Sequence, residues 1–262
     1  MTATDLFKAG KLQAALDAQL QEVKSAPGDP SRRLFLFELA SFAGDLERAG
    51  RQIDAIRYDD PERDAQVAVY RALLAAEQKR RQLFRDGLQP RFLAPPPDHV
   101  ALRLQAVQRL REMNYAEAAG LLRQANEAAP ALHGVLNGTA FQLLRDADDL
   151  FGTVLEVMAH GEYFWVPLDQ IESLGMNAPR FPRDLLWIPA RLVLRQGEHG
   201  EVFLPALYPN SHEHADEEVR LGRSNDWKDL GEGATLGIGA RTFLVGDEGV
   251  GLREWRDLQL TE

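Results

Sequence analysis

Four positions recur at one fixed step near the start of the chain. Gly10, Leu12, Ala15 and Pro27 return 34 residues later as Gly44, Leu46, Ala49 and Pro61. A period of 34 residues is that of tetratricopeptide (TPR) repeats, each a pair of antiparallel helices. The residue types suit those roles. The glycine makes the turn between the paired helices. The large apolar residue two positions on packs at the start of the second helix, the alanine lets helices approach closely, and the proline closes the unit. Asp45 beside Gly44 also suits a turn. A third unit lacks the glycine, but Tyr115, Ala118 and Pro130 keep the spacing of Leu12, Ala15 and Pro27. Stacked units of this kind leave a groove lined by the first helix of each pair, a surface that takes a peptide or a helix. On the repeat register the inward positions include Leu34, Glu38, Phe42, Arg103, Val107 and Arg111. These are the candidate partner-binding residues, although Leu34, Phe42 and Val107 also suit plain core.

The segments between the units read as follows. Pro61 to Arg85 predicts a long helix with a small-residue face of Ala65, Ala68, Ala72, Ala75 and Ala76, with bulk from Val69, Leu73 and Leu74. Gln82 to Asp98 breaks the register with Pro90 and Pro95-Pro96-Pro97, and reads as an ordered connector in polyproline II form. A helix resumes over His99 to Met113. Leu132, Val135, Leu136, Phe141 and Leu144 predict one more, so a TPR-like helical domain is expected over residues 1–144.

From Arg145 the pattern changes. Gly152 breaks any helix, and Thr153 to Ala159 is a run rich in β-branched and apolar residues. His160-Gly161 makes a turn, and Glu162 to Val166 forms the second strand of a hairpin, stopped by Pro167. One helical turn is expected over Leu168 to Leu174. Arg191 to Arg195 and Glu201 to Pro205 flank a second hairpin turn. Further strands are expected at Thr235 to Ile238, Arg241 to Val245 and near Leu252 to Leu260. The expectation is an α+β protein: the helical domain, then a small, mostly antiparallel β-barrel-like domain over residues 145–262, each with its own core.

Composition narrows the function. A net charge of -10 disfavours nucleic acid and anionic membrane as partners. The absence of cysteine excludes disulfides and cysteine-ligated zinc. The first residues carry no basic patch before an apolar core, and no apolar run reaches the roughly 20 residues a bilayer span needs. A cytoplasmic protein is expected.

The chemistry-bearing residues favour structural roles. Asp146, Asp148 and Asp149 lie within four positions and repel one another unless cations or backbone amides compensate. They lack the glycine and terminal glutamate of an EF-hand loop. They are expected to cap amides at the domain junction and to pair with Arg183, Arg191 or Arg223. His212 and His214, followed by Asp216-Glu217-Glu218, are potential metal ligands. They follow Pro209-Asn210-Ser211, a loop signature, so no common direction is imposed on them. Gly231, Gly233, Gly237 and Gly239 lack the spacing of a phosphate-binding loop. Trp165, Trp187, Trp227 and Trp255 suit core packing better than a ligand cage. The expectation is therefore a protein with neither catalytic residues, metal nor cofactor. The competing expectation is a metal-dependent hydrolase built on the aspartate cluster or on the His212/His214 loop.

Several phrases resemble the ImpE family (TagJ or SciE-type) of type VI secretion accessory proteins. They include Arg145-Asp146-Ala147-Asp148-Asp149, Leu155-Glu156-Val157, Tyr163-Phe164-Trp165-Val166-Pro167 and Arg183-Asp184-Leu185-Leu186-Trp187. Pro189-Ala190-Arg191, Pro205-Ala206-Leu207-Tyr208-Pro209, Leu221-Gly222-Arg223, Asp226-Trp227 and Val245-Gly246-Asp247-Glu248 continue the series in order. The resemblance implies a cytoplasmic partner of the contractile sheath that binds the N-terminal helix of the small, TssB-like subunit. It further implies help in sheath assembly or in recycling by a ClpV-type AAA+ ATPase. It assigns no residue to that contact.

Overall fold

A computed structural model of the chain describes residues 1–58 and 60–261. The helical part runs α1 (Ala3–Lys8), α2 (Leu12–Ser25), α3 (Pro30–Phe42), α4 (Leu46–Asp54), α5 (Pro61–Asp86), α6 (Asp98–Arg111) and α7 (Tyr115–Ala128). Helices α1/α2, α3/α4 and α6/α7 form three hairpins. Gly10 and Gly44 make the first two turns at φ +77° and +79°, and Met113 makes the third at φ +58°. A non-glycine residue thus adopts the same left-handed conformation, which is why the third unit can lack glycine. Leu12, Leu46 and Tyr115 each begin the second helix, and Ala15, Ala49 and Ala118 are fully buried behind them. The proline position is less regular. Pro61 opens α5 at its first turn, capped by Asp60, whereas Pro27 lies in the loop before α3 and Pro30 takes the equivalent place.

Strands begin earlier than the apolar pattern suggests. Residues 131–144 do not form a helix. They contain β1 (Gly134–Leu136) and β2 (Thr139–Phe141), and β3 (Leu144–Asp146) follows. The cause is local: Asn137 and Gly138 sit at φ +51° and +84°, the two-residue Asn-Gly turn that closes a tight hairpin. Of the apolar residues read as one helix face, Leu136, Phe141 and Leu144 are buried positions of β1, β2 and β3, Leu132 is buried just before β1, and Val135 is partly exposed.

The remaining strands are β4 (Val154–Ala159), β5 (Glu162–Pro167), β6 (Ile171–Met176), β7 (Trp187–Leu194), β8 (His199–Pro205), β9 (Asn225–Gly231), β10 (Ala234–Gly239), β11 (Thr242–Val245), β12 (Glu248–Gly251) and β13 (Asp257–Leu260), with a short α8 (Glu217–Arg220) before β9. The β4–β5 hairpin turns at His160-Gly161, both with positive φ, as expected. Leu168 to Gln170 forms a single 3-10 turn, and the rest of the segment expected to be helical is β6. Eight strands form one antiparallel sheet in the order β2-β1-β13-β6-β7-β8-β4-β5. Its end strands β2 and β5 do not pair with each other, so among the described residues the sheet is open rather than a barrel. The β5 edge is covered instead by the connector: Arg91 N–H donates to Tyr163 O at 2.9 Å, and Trp165 N–H donates to Arg91 O at 3.0 Å. The other strands form the β9–β10 hairpin and a three-stranded β12-β11-β3 sheet. Among the described residues no helix is long and apolar enough to cross a membrane.

The two halves do not keep separate cores. One cluster is internal to the sheet part and includes Leu155, Val157, Ile188, Leu192, Phe243 and Trp255. The other joins Phe37, Phe42, Leu73 and Val107 of the helices to Phe151, Val154, Met158, Trp165 and Trp187. Strand β4 divides between them by alternation: Val154 and Met158 face the helices, while Leu155 and Val157 face the sheet core.

Candidate functional site

Two places in the fold concentrate chemistry or open surface. The first is the junction between α5 and β4. Glu156 stands in the middle of the apolar run of β4, fully buried on the helix-facing side. Arg80 of α5 grips it with both arms, Nε to Oε1 at 2.7 Å and Nη2 to Oε2 at 2.9 Å, and also donates to Leu207 O at 2.7 Å. Tyr163 donates its hydroxyl to Glu156, and Trp165 Nε1 donates to that hydroxyl at 2.6 Å. Arg241 Nη1 lies 2.8 Å from Glu156 Oε2, in ion contact though not in line for a hydrogen bond. Its Nε donates to Asp146 Oδ2 at 2.7 Å, and its guanidinium lies 4.2 Å from the centre of the Phe151 ring. Tyr208 donates to Asp146 Oδ1 at 2.7 Å. Two arginines and two carboxylates thus balance inside the core. Burial alone would push Glu156 upward, but Arg80 and Arg241 together outweigh it and hold the carboxyl below its usual range.

Asp146, Asp148 and Asp149 have three different roles. Asp146 belongs to the ion network. Asp148 has no ion-pair partner among the described residues; its oxygens accept from Leu150 N at 2.7 Å and Gly237 N at 2.8 Å. Burial, then the neighbouring Asp146, push it up to about 8. Asp149 pairs with Arg145 and accepts from Asn126 Nδ2 at 2.9 Å and Thr235 N at 2.7 Å. The expected capping is present, but the expected arginines are elsewhere. Arg183 donates to Glu38 Oε1 at 2.7 Å and to the Tyr70 hydroxyl at 2.6 Å. Arg191 is exposed on β7, and Arg223 donates to the carbonyls of Phe7 and Lys8 at the end of α1. Arg241 and Arg145 take their places.

The imidazoles diverge. His212 packs against the turn at Gly44, where a Cβ would collide with its ring, and burial, then Arg81, lower it to about 4. His214 faces Asp226 at 3.3 Å and accepts from Asp216 N at 3.1 Å. Among the described residues no group of three histidine or acidic side chains converges to hold a metal ion. The four tryptophans also lie apart, each against a different aromatic ring: Phe151, Phe37, Tyr208 and Phe243.

Most of the positions read as inward on the helices meet the chain's own sheet part. Phe42 and Val107 are buried in the shared core. Glu38 holds Arg183. Arg103 is fully buried and donates to Asp149 O at 2.7 Å, Leu150 O at 3.1 Å and Asn126 Oδ1 at 2.8 Å, and burial lowers its pKa to about 10. Leu34 is half-buried, and Arg111 is exposed beside a cavity of about 190 Å³ between α6 and β10.

The second place is a cleft along the outer side of α5. It consists of two adjoining cavities of about 300 and 290 Å³ that share Val69, Leu73 and Phe203. One wall is α5 from Gln66 to Ala76, the floor is formed by Trp187, Pro189 and Phe203 of β7 and β8, and the far wall is the loop around Phe181. The small-residue face was legible as a pattern, and its opening onto the sheet was not.

Comparisons with known proteins cover the sheet part by family and nearly the whole chain by individual relatives. A model of the ImpE protein family matches residues 138–259. A Pseudomonas aeruginosa protein named type VI secretion system accessory component TagJ is 38% identical over 259 residues, 98% of this chain and 90% of the relative. A crystal structure of a Vibrio parahaemolyticus protein superimposes with a TM-score of 0.90 at 25% identity, covering 99% of this chain and 97% of the other.

Proposed function

The chain belongs to the ImpE family of TagJ-like proteins, and from that premise we propose that it is a non-enzymatic, cytoplasmic adaptor of a type VI secretion system. It binds the N-terminal helix of the small, TssB-like sheath subunit and assists sheath assembly or recycling by a ClpV-type ATPase. The observation that carries this reading is the 38% identity to an accessory component over 98% of the chain. The geometry supports an adaptor on two further counts. The carboxylates that could have served a hydrolase are engaged by arginines, tyrosines and backbone amides that hold the halves together. The shared core packs the two halves against each other, which suits a platform for a partner.

The test is co-purification of the full chain with the small sheath subunit, either intact or lacking its N-terminal helix. Retention of the intact subunit alone is the expected result. Equal retention of both forms, or of neither, contradicts the proposal.

A further inference from the structure

We propose that the free edge of β9 pairs with the same edge of a second copy of this chain, antiparallel and in a single register about a two-fold axis at Trp227. Such pairing is independent of the adaptor reading.

The hydrogen bonds of the β9–β10 hairpin fix which backbone groups are free. Asn225 lies opposite Gly239, Trp227 opposite Gly237 and Asp229 opposite Thr235. The three β10 residues turn their amides away from β9. Gly239 N–H donates to Ser211 Oγ at 2.7 Å, Gly237 N–H to Asp148 Oδ2 at 2.8 Å and Thr235 N–H to Asp149 Oδ2 at 2.7 Å. Antiparallel pairs alternate between those that exchange both bonds and those that exchange none, so Asn225, Trp227 and Asp229 direct their N–H and C=O groups outward. Trp227 N–H accordingly donates to its neighbour Asp226 Oδ1 at 2.8 Å instead of to β10. β10 is the one strand paired with β9 among the described residues, and Asn225 to Asp229 are all exposed. Helix α7 meets this hairpin through side chains, with the Lys228 ammonium 4.1 Å from the centre of the Tyr115 ring.

The order of the side chains selects the partner. Charges on an open edge ordinarily keep other strands away. In Asn225-Asp226-Trp227-Lys228-Asp229 they disfavour every antiparallel self-pairing but one. About Asp226 or Asp229, aspartate meets aspartate; about Lys228, lysine meets lysine; about Asn225, the strands barely overlap. About Trp227, each Asp226 faces Lys228 of the second copy, each Asn225 faces Asp229, and the two Trp227 residues face each other. In that register the outward groups of the two edges coincide and give about six backbone hydrogen bonds, while Asp226 and Lys228 take the closer, non-hydrogen-bonded positions. Both charges are available. Lys228 has no carboxylate partner among the described residues, and the Asp226 side chain is 59% accessible although it lies 3.3 Å from His214 Nε2. Trp227, exposed and edge-on to Tyr208 at 5.9 Å, gains a second aromatic neighbour. The two-fold uses one patch on both copies, and the other edge of the hairpin is anchored through Asp148, Asp149 and Ser211, so pairing closes at a dimer. About five residues a side are fewer than the roughly 20 of a stable interface, so the dimer is reversible.

Sedimentation equilibrium of the full chain provides the test. Wild type should pass from monomer to dimer below about 0.5 mM. Asp226→Lys and Lys228→Asp each set like charges opposite one another twice, so each should weaken the dimer at least about tenfold with unchanged circular dichroism. Asp226→Lys combined with Lys228→Asp restores both opposite-charge pairs and should regain the dimer. A monomer throughout overturns the proposal. So does a dimer that both single variants keep, which assigns association to another surface, or a double variant as weak as the single ones, which removes the register.

Discussion

Replacing Arg241 by methionine isolates what the buried junction contributes. The side chain is completely enclosed, 2.7 Å from Asp146 and 2.8 Å from Glu156. Methionine keeps much of the volume and the packing against Phe151. Glu156 keeps its bidentate contact with Arg80, but Asp146 loses its one ion-pair partner among the described residues and retains the Tyr208 hydroxyl and one backbone amide. Stranding a buried carboxylate in this way costs about 3–5 kcal/mol. With a urea m-value of about 3 kcal/mol per M, the midpoint should fall by roughly 1 to 1.7 M at neutral pH. The loss should depend on pH in a defined direction. Burial already holds the Asp146 carboxyl above its ordinary value, and removal of Arg241 raises it further. Stability linked to a raised folded-state pKa is present at low pH and disappears as pH rises through that value. The deficit against wild type should therefore be smaller at pH 5 than at pH 7. The double variant Asp146→Asn with Arg241→Met should recover part of it, because no charge is then left alone. Urea unfolding followed by circular dichroism measures all three. A midpoint shift below about 0.3 M at pH 7, or a larger deficit at pH 5, refutes the reasoning.

Asp148, pushed up to about 8, contributes stability that is fully present below its ordinary 3.8 and is lost as pH rises through about 8. Asp148→Asn cannot ionise in either state, so its urea midpoint should rise relative to wild type from about pH 4 to about pH 8, and a difference that stays constant over that range contradicts the shift. Arg103→Glu should destabilise the protein outright, because it sets a buried anion against the carbonyls of Asp149 and Leu150. A drop in melting temperature of only a degree or so would show that the site is not closed. Gly44→Ala should cost more than Gly138→Ala. Both have positive φ, worth about 1 kcal/mol, but only at Gly44 would the new Cβ strike another residue, His212; thermal melts of the pair give the comparison. A fragment ending at residue 144 should lack cooperative unfolding, since Phe37, Phe42 and Val107 lose the strands that complete their core.

Local features were legible in the chain and non-local ones were not. The helix pairs could be read because glycine turns, the leucine and the alanine repeat within a single unit, and the β4–β5 hairpin could be read from its own turn. The segment 131–144 was misread because its apolar spacing suits either period, and the deciding signal, Asn137-Gly138, is only two residues long. The junction was half legible. The clustered aspartates announced a need for partners, whereas Glu156, inside the apolar β4 run, carried the same signal and drew no such reading. Their partners come from 76 and 95 residues away, Arg80 to Glu156 and Arg241 to Asp146, and sequence spacing carries no trace of that. The packing of the helices on the sheet part is likewise a contact between halves. Glu38, Phe42, Arg103 and Val107 are buried against the chain's own sheet part, whereas Leu34 is half-buried and Arg111 exposed.

The absence of cysteine permits a direct measurement of where the partner sits. A single cysteine at Phe181, or in a second variant at Leu143, can carry a short photo-activated crosslinker while the rest of the chain stays unlabelled. After mixing with the small sheath subunit and illumination, mass spectrometry identifies the joined peptides. The account predicts that a crosslink formed from either position joins the subunit's N-terminal helix. A crosslink that joins another part of the subunit instead contradicts it.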